Sequence, residues 1–207
     1  MSRSISHHHV SRETLIRARE LADKHQKSLD AYLDQLLWWN DKVNLVSRDV
    51  SRETLQEHLV HSIIPAAMEL FKGIDDWVDA GSGGGLPGIP LALVEPDTRW
   101  LLNDIVQKKI LAVRQIARSL KLVDVDAEAG SIEHVSMNGG RGVITKHAFS
   151  VGDLLQMIEG KPWKKVIMLK GGEEAREELN CTSFEGSAHL YTFDFGDREP
   201  FYRGKGI

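Results

Sequence analysis

The sequence predicts an α/β fold in which a helical segment precedes a largely parallel, doubly wound sheet. From Trp77 onward, short apolar runs of strand length alternate with segments of helical periodicity. The first of these runs leads into a glycine-rich turn, and an apolar helical segment follows at once. A chain of 207 residues suits one such domain with an appended element and is short for two full domains.

The composition is ordinary for a soluble globular protein, with 42% hydrophobic and 27% charged residues. Cys181 is the only cysteine, which excludes an intrachain disulfide or a cysteine-cluster metal site and fits a reducing cytoplasm. No apolar run approaches the roughly 20 residues that span a bilayer. A net charge of −4 does not indicate a nucleic-acid-binding protein, although a local basic face would be sufficient. We therefore expect a cytoplasmic protein with no metal and no membrane segment.

Residues 1–72 are predicted to form a helical cap. Ser11 and Ser51 are each followed by Arg-Glu-Thr-Leu, and serine is a preferred helix N-cap. Between them, apolar side chains from Leu29 onward recur at helical spacing along one stripe. Two similar caps explain the repeated pentapeptide better than an internal duplication, because the sequences around it do not match.

Three consecutive histidines precede the first cap: His7, His8 and His9. A histidine tract can bind metal, but no acidic or cysteine partner lies nearby in the sequence. We therefore expect a frayed, solvated terminus here.

Residues 73–207 are predicted to form the sheet domain. Five strands are expected, near residues 75–80, 99–104, 123–128, 141–145 and 164–170. The clearest of the intervening helices spans residues 106–120, and this alternation implies parallel strands. Residues 188–195 alternate apolar and polar side chains, and Phe201 and Tyr202 begin another short extended piece. The chain is therefore expected to end in an antiparallel hairpin.

The glycine turn follows the first predicted strand, which ends at Asp79. Three glycines alternate along it: Gly81, Gly83 and Gly85. Glycine permits positive φ angles and lets a ligand approach the backbone without meeting a Cβ atom. A nucleotide-like ligand is expected at this carboxyl edge of the sheet, and the alternative is a glycine-rich turn that binds nothing.

Two details favour S-adenosylmethionine over a dinucleotide as that ligand. The last glycine of a dinucleotide fingerprint packs inside the helix, whereas Leu86 and Pro87 follow directly here. Asp79 is placed to meet an ammonium group rather than a pyrophosphate. S-adenosylmethionine carries an ammonium, a sulfonium and no phosphate.

Acidic and apolar residues after the next two strands are candidates for the nucleoside. Asp104 ends the second strand, where an acid accepts hydrogen bonds from ribose hydroxyls; its alternative role is to cap the next helix. Ile132 and Glu133 follow the third strand and would border the adenine; their alternative is an ordinary helix start.

The residues that face the methyl acceptor, or target, are predicted to follow the fourth and fifth strands. Lys146 and His147 follow the fourth strand, where an α/β methyltransferase places groups that face its substrate; the alternative is a solvent-facing loop. Lys170 follows the fifth strand and could hold a phosphate of the target; the alternative is a tight strand-to-helix turn.

One signature is missing from the fourth strand. The Asn/Asp-Pro-Pro-aromatic motif of enzymes that methylate exocyclic amines does not occur there. A purine N7 has a free lone pair and loses no proton on methylation, so it needs no general base. Catalysis could then rest on positioning, and we expect no catalytic residue in the strict sense.

Basic residues also gather on two further segments. Lys108, Lys109, Arg114, Arg118 and Lys121 fall mostly on an outer helix face, where they could simply be solvated. Arg198, Arg203 and Lys205, with Phe201 and Tyr202, form another candidate RNA contact.

Several motifs, in order and at the right separations, resemble the RsmG (GidB) family. They are Trp39-Asn40, Asn44-Leu45-Val46-Ser47, the His58-to-Ser62 element, the turn from Asp79 to Pro90, Asp104 and Leu169-Lys170-Gly171. These are bacterial methyltransferases that place a methyl group on N7 of a guanine in 16S, small-subunit ribosomal RNA. The resemblance covers nearly the whole chain from about Leu29.

The resemblance implies a Rossmann-like methyltransferase domain with an N-terminal helical extension. It implies S-adenosylmethionine as donor and the small ribosomal subunit or its RNA as partner, and we expect a monomer. Carried over to this chain, it puts Gly81 and Leu86 at the methionine end, Asp104 at the ribose, Ile132 and Glu133 by the adenine, and Lys146 near cofactor and target.

Three positions depart from the family pattern. His61 stands where the family often has Asp, Ser131 where it has Arg, and Lys146-His147 where it has Arg-Ala. Lysine keeps the charge of arginine but cannot make a planar two-pronged contact. The contacts to the target are therefore expected to differ more than the cofactor site does.

Other functions stay open at this point. The leading hypothesis is RNA methylation at guanine N7. The alternatives are a methyltransferase acting on another RNA or a small molecule, and a module that binds S-adenosylmethionine without turnover. An NAD oxidoreductase is the least favoured of these alternatives, since no catalytic histidine–acid pair is evident.

Overall fold

The structure, a computed structural model, describes residues 3–193 and 195–207. Its strands within these ranges are β1 Ser4–Val10, β2 Asp76–Ala80, β3 Arg99–Asp104, β4 Val125–Ala129, β5 Gly142–Lys146, β6 Lys165–Gly171, β7 Ser187–Phe193 and β8 Lys205–Gly206. The helices are α1 Arg12–Lys24, α2 Gln26–Asn40, α3 Arg52–Ala67, α4 Gly88–Val94, α5 Gln107–Ser119, α6 Val151–Met157 and α7 Gly172–Cys181. Short 3-10 helices span Ile132–His134 and Pro200–Tyr202.

All eight strands join one sheet in the order β1-β7-β8-β6-β5-β2-β3-β4. The five strands from β2 to β6 pair in parallel, which confirms the predicted doubly wound architecture. The chain runs outward from β2 to β3 and β4 on one side, and β5 and β6 lie on the other side. The strand order therefore reverses between β2 and β5, and open α/β sheets bind ligands outside the carboxyl ends of the strands at such a point.

The histidine tract is a strand, so the prediction of a frayed terminus was wrong. Strand β1 pairs in parallel with β7, and Val10 at its end is buried. The His8 ring stacks on the rings of His189 and Tyr191, at centroid distances of 5.3 and 4.7 Å. Local pattern did not indicate this strand, because its partner β7 lies almost the whole chain away. Without β1, strand β7 would be an exposed sheet edge.

The end of the chain forms the expected antiparallel pair, but with a different return strand. Strand β8 is antiparallel to both β6 and β7, so β7 itself runs parallel to β6. Phe201 and Tyr202 lie in a 3-10 helix rather than in the return strand. Pro200 opens this helix with a fixed φ and no backbone donor, and the Tyr202 hydroxyl donates to Glu57 Oε2 (2.9 Å).

The helical segment begins as predicted. The hydroxyls of Ser11 and Ser51 accept hydrogen bonds from the backbone N–H groups of Thr14 and Thr54, so both serines cap helices. The apolar stripe of α2 is buried, and the Tyr32 hydroxyl on it donates to the Gly84 carbonyl (2.9 Å). The helices and the glycine turn therefore share one continuous core. No helix in the described ranges combines the length and apolar character needed to cross a membrane.

Candidate functional site

The glycine turn lies at the carboxyl end of β2, at the point where the strand order reverses. Gly81, Gly83 and Gly85 have φ angles of 70°, 54° and 95°, which disfavour other residues. A Cβ atom on Gly81 would lie 2.5 Å from Ala148 Cβ, so that glycine is required by the packing of the chain itself. A Cβ atom on Gly83 would meet only the Leu45 carbonyl, at 3.6 Å. Gly83 is thus the position where the turn is open.

Asp79 lies buried at the base of this turn. Its Oδ2 accepts a hydrogen bond from the Gly88 N–H (2.8 Å), whereas its buried Oδ1 has no partner among the described residues. Burial raises the pKa of Asp79 to about 7; the Gly88 N–H and the charge of Lys146 oppose this shift, and Asp104 adds to it. A buried carboxylate oxygen without a partner is costly, so this site favours a cationic or hydrogen-bond-donating ligand.

Asp104 supports the same turn from the end of β3. Its Oδ2 accepts from the Gly83 N–H (3.0 Å), and its Oδ1 accepts from the N–H of Val106, the N-cap residue of α5. The structure thus shows the capping role that was the alternative for this residue. A carboxylate has further lone pairs, so these bonds leave capacity for a ribose hydroxyl.

Ile132 and Glu133, the candidates for contact with the adenine, lie at the start of the short 3-10 helix after β4. The Ser131 hydroxyl caps the 3-10 helix by accepting from the Glu133 N–H, and it donates to the Glu133 carboxylate (3.1 Å). Ile132 is buried and Glu133 is exposed. The ordinary helix start that was the alternative is therefore what the backbone forms.

One residue beside this region was missed. Ile105 follows Asp104 directly, and 77% of its surface is exposed. A large apolar side chain held in water at a ligand-binding edge is suited to contact an apolar ring. The sequence could have indicated this residue, because an isoleucine directly follows Asp104, the acid at the end of the strand.

The side chain of Lys146 is buried. The alternative interpretation of this residue, a position in a solvent-facing loop, was therefore wrong. Its Nζ donates to the His58 carbonyl (2.8 Å) and to Ser62 Oγ (3.1 Å), both on α3. Burial lowers the pKa of Lys146 to about 7; Lys205 lowers it further, and Asp79 opposes the shift. The His58-to-Ser62 element of the helical segment therefore holds the lysine at the end of β5.

Histidines surround this lysine. His61 is fully buried, and neither ring nitrogen has a hydrogen-bond partner among the described residues. Its ring centroid lies 6.2 Å from that of His147, the residue that follows β5 with a φ of 54°. Burial, and after it the charge of Lys146, lowers the pKa of both imidazoles. The lowered pKa favours the neutral form of both rings.

Lys170 lies at the junction of β6 and α7. It lines a cavity of about 330 Å³ together with His147, Ala148, Phe149 and Glu174. Its ammonium is 2.6 Å from both carboxylate oxygens of Glu178 and 3.3 Å from Glu174, and it also donates to the Phe149 carbonyl. A phosphate would have to compete with two carboxylates for this group, so contact between Lys170 and the target stays a prediction.

Lys170→Met is accordingly expected to lower the free energy of unfolding by about 3 kcal/mol, because the half-buried Glu178 carboxylate loses its cation and keeps only the hydrogen bond from the Val151 N–H (2.7 Å). Chemical denaturation of Lys170→Met, Glu178→Leu and the double variant measures this coupling. The double variant should recover most of the loss. If Lys170→Met unfolds like the wild type but loses RNA affinity, the result would support contact between Lys170 and a phosphate of the target.

The structure thus brings Asp79, the glycine turn and Asp104 together at one edge, with Lys146 close enough to act on the charge of Asp79. Ile132 and Glu133 lie beyond β4, and Lys170 is engaged within its own ion pair. No group of three histidine, cysteine, aspartate or glutamate side chains in residues 3–193 and 195–207 is arranged to hold a metal.

Comparison with known proteins identifies the relatives of this chain. The family profile of GidB, rRNA small subunit methyltransferase G, matches residues 25–193. A ribosomal RNA small subunit methyltransferase G from Bacteroides fragilis is 28% identical over 196 residues, 91% of this chain and 93% of that relative. The protein of the same name from Chlorobium phaeobacteroides is 35% identical over 136 residues, 65% of this chain but only 61% of that relative.

Among solved structures, a tRNA (uracil-54, C5)-methyltransferase from Pyrococcus abyssi, in complex with S-adenosyl-L-homocysteine, is similar in fold. The TM-score is 0.51 at 18% identity, over 74% of this chain and 36% of that one. This likeness supports the Rossmann-like methyltransferase fold. With the profile match over most of its length, the chain belongs to the rRNA small subunit methyltransferase G family.

Proposed function

We propose that this protein transfers a methyl group from S-adenosylmethionine to N7 of a guanine in 16S ribosomal RNA. The observation that carries the proposal is the turn from Asp79 to Gly88, which lies at the reversal of strand order in a chain of this family. The substrate class comes from the relatives, which are ribosomal RNA small subunit methyltransferases. The choice of N7 is what the family resemblance implies, and the absence of an amine-methylation signature agrees with it.

The residues of the turn fit the donor. The unpartnered Oδ1 of Asp79 suits the ammonium of the methionine moiety, and the open space at Gly83 suits close approach of a ligand to the backbone. The Asp104 carboxylate suits the ribose hydroxyls, and the exposed Ile105 offers apolar surface to the adenine. The side chain of Ile132 is buried, so this residue would border the ring through its backbone. Gly81, Gly85 and Leu86 would support the methionine end by shaping the turn, and Glu133 would border the adenine.

The chemistry asks little of the side chains beyond positioning. When bound, S-adenosylmethionine supplies a methyl group on a positively charged sulfur. The guanine N7 lone pair is free and N7 loses no proton, so no side chain has to act as a general base. The protein has to hold N7 about 3 Å from the methyl carbon, in line with the departing sulfur.

We propose that Lys146 and His147 help to position the guanine. Lys146 ends the strand that pairs with β2, and His147 follows it directly. Helix α3 fixes the Lys146 ammonium with two hydrogen bonds. A neutral His147 imidazole can donate one hydrogen bond and accept another. Neither residue is needed to remove a proton from the target.

The target base has to leave any helix before it reaches this site. In A-form RNA, side chains cannot reach N7 in the deep, narrow major groove. The guanine is therefore a loop base or is turned out of its stack, at a cost of a few kcal/mol. We propose that the helical cap of residues 1–72 and the loop after α2 present it to the sheet domain, and that a monomer acts in the cytoplasm.

Incubation with radiolabelled S-adenosylmethionine and under-methylated small ribosomal subunits tests this function. We expect label in the 16S RNA, recovered as 7-methylguanosine after digestion to nucleosides. Label on another base or on a small molecule would indicate one of the other methyltransferase activities. Tight donor binding without transfer to ribosomal RNA would indicate a non-catalytic binding module.

A further inference from the structure

A second cavity lies beside the proposed donor site. It measures about 630 Å³ and opens between the loop that follows α2 and the first turn of α5. We call it the α5 cleft; its lining residues are Asn40, Asp41, Lys42, Val43, Asn44, Arg48, Val106, Lys108 and Lys109.

The α5 cleft is strongly basic in a chain of net charge −4. Four of its lining residues are cations, Lys42, Arg48, Lys108 and Lys109, against one carboxylate, that of Asp41. None of these cations forms an ion pair with a carboxylate of the described residues; Lys42 and Arg48 bond instead to the neutral oxygens of Trp38 and Asn44. The positive charge is therefore left for an external anion.

The start of α5 adds to this charge. Its first turn contains Lys108 and Lys109 but no acidic residue, although the positive end of a helix dipole disfavours cations there. Two lysines at the wrong end of a helix dipole are explained if an anion binds between them. Helix N-termini and lysines together are well suited to phosphate.

The walls of the cleft are held firmly and adjoin the donor site. Asn40 Oδ1 accepts from the N–H groups of Leu45 (2.7 Å) and Val46 (2.9 Å), which fixes the loop after α2. The Leu45 carbonyl faces Gly83, and the Val106 N–H bonds to Asp104. A ligand in the cleft would thus lie next to the turn proposed to hold the donor.

An aromatic side chain stands on the rim. Trp38 is 53% exposed, and the Lys42 ammonium lies 3.3 Å from the centre of its ring. A cationic groove flanked by an exposed aromatic ring is the arrangement by which proteins hold unpaired nucleic-acid strands, with phosphates on the cations and bases on the ring.

We propose that the α5 cleft binds the phosphodiester backbone of the ribosomal RNA beside the target guanine. This inference rests on the proposed function for the identity of the RNA. The cleft positions the strand through its phosphates and reads no base. It gives an acidic protein the local basic surface that an RNA substrate requires.

The test compares the full-length wild type with two charge-matched double variants. Lys108→Gln/Lys109→Gln removes two cations from the cleft. Arg118→Gln/Lys121→Gln removes two exposed cations at the far end of the same helix and just beyond it. Arg48→Gln probes the opposite wall of the cleft. Binding to under-methylated small ribosomal subunits is measured over a range of salt concentrations, and donor binding is measured by calorimetry.

We expect the cleft variant to bind the subunits about tenfold more weakly, with the slope of log K against log salt reduced by about one unit per lysine. Arg48→Gln should show about half of this effect. The control variant should behave like the wild type, and donor affinity should be the same in all four proteins. Because Lys108 is exposed and Lys109 lies at the surface, the cleft variant should also unfold at the wild-type temperature.

The inference is overturned if the cleft variants bind the subunits like the wild type, or if the control loses as much affinity as they do. It is also overturned if the cleft variants lose donor affinity, because the cleft would then belong to the donor site. A wild-type protein that binds the subunits but transfers no methyl group would overturn the proposed function and leave the cleft in place.

Discussion

Asp79→Asn is expected to weaken binding of S-adenosylmethionine by a factor of about 30 or more. The variant keeps the shape of the side chain but removes the charge that would pair with the donor ammonium, and losing one partner of a buried charge pair costs about 2–5 kcal/mol. Calorimetric titration measures the loss. Asp76→Asn is the matched control, since it makes the same change at the opposite end of β2, where Asp76 pairs with Arg141 (3.0 Å).

The pH dependence of this affinity provides a second readout. With a pKa of about 7, Asp79 is mostly protonated at pH 6 and becomes ionised above pH 7. The affinity of the wild type for a cationic donor should therefore rise between pH 6 and 7.5, and the rise should be absent from Asp79→Asn. Equal affinities of the two proteins throughout this range would remove Asp79 from the donor site.

The same pKa shift acts in the opposite direction on the unliganded fold. The pKa of Asp79 is raised from its unfolded value near 4 to about 7, so the native state binds more protons between these values. The contribution of Asp79 to stability is thus lost as the pH rises from about 4 to 7. Without donor, Asp79→Asn should be less destabilised than the wild type by this rise in pH.

Gly83→Val is expected to abolish detectable binding of the donor, because the new side chain would fill the open space at this position of the turn. A valine at a φ of 54° is also strained, which by itself costs about 1–2 kcal/mol of stability. Gly73→Val separates the two effects. Gly73 has a φ of 79°, and no atom lies within 4 Å of its hypothetical Cβ, so this control carries the strain without blocking the turn.

The two valine variants should therefore lose similar stability in thermal unfolding, while only Gly83→Val loses donor binding in calorimetry. If Gly83→Val binds the donor like the wild type, the ligand does not occupy the turn. If both variants lose binding equally, the effect comes from strain, and the steric role of Gly83 is not supported.

The parts of the fold with strong local patterns were predictable. The parallel strands from β2 to β6 and the caps at Ser11 and Ser51 lie where periodicity and residue type placed them. Strand β1 was not predictable, because the Ser4–Val10 segment pairs with a strand about 180 residues away. Neither was the return strand β8, whose two residues are too few to carry a pattern.

The candidate site divides in the same way. The turn at Asp79 and the acid at Asp104 could be found because each follows a recognisable strand, and parallel strands bring their carboxyl ends to one edge. The partners of the lysines could not be found. Lys146 forms hydrogen bonds with α3, and Lys170 forms an ion pair with Glu178. No local sequence pattern indicates either contact.

The sequence by itself determined the order of strands and helices from β2 to β6, the glycine turn and the family resemblance, because these depend on short-range periodicity and residue chemistry. Only the tertiary structure decided which charges are buried, which are paired and which remain free. It paired Lys170 with Glu178 inside the protein. Among the described residues, it left Asp79 Oδ1 without a partner and gathered the cations of the α5 cleft without an ion pair. The physical reason is that desolvation and pairing depend on neighbours that are distant along the chain, and these differences decide which charged groups can meet a ligand.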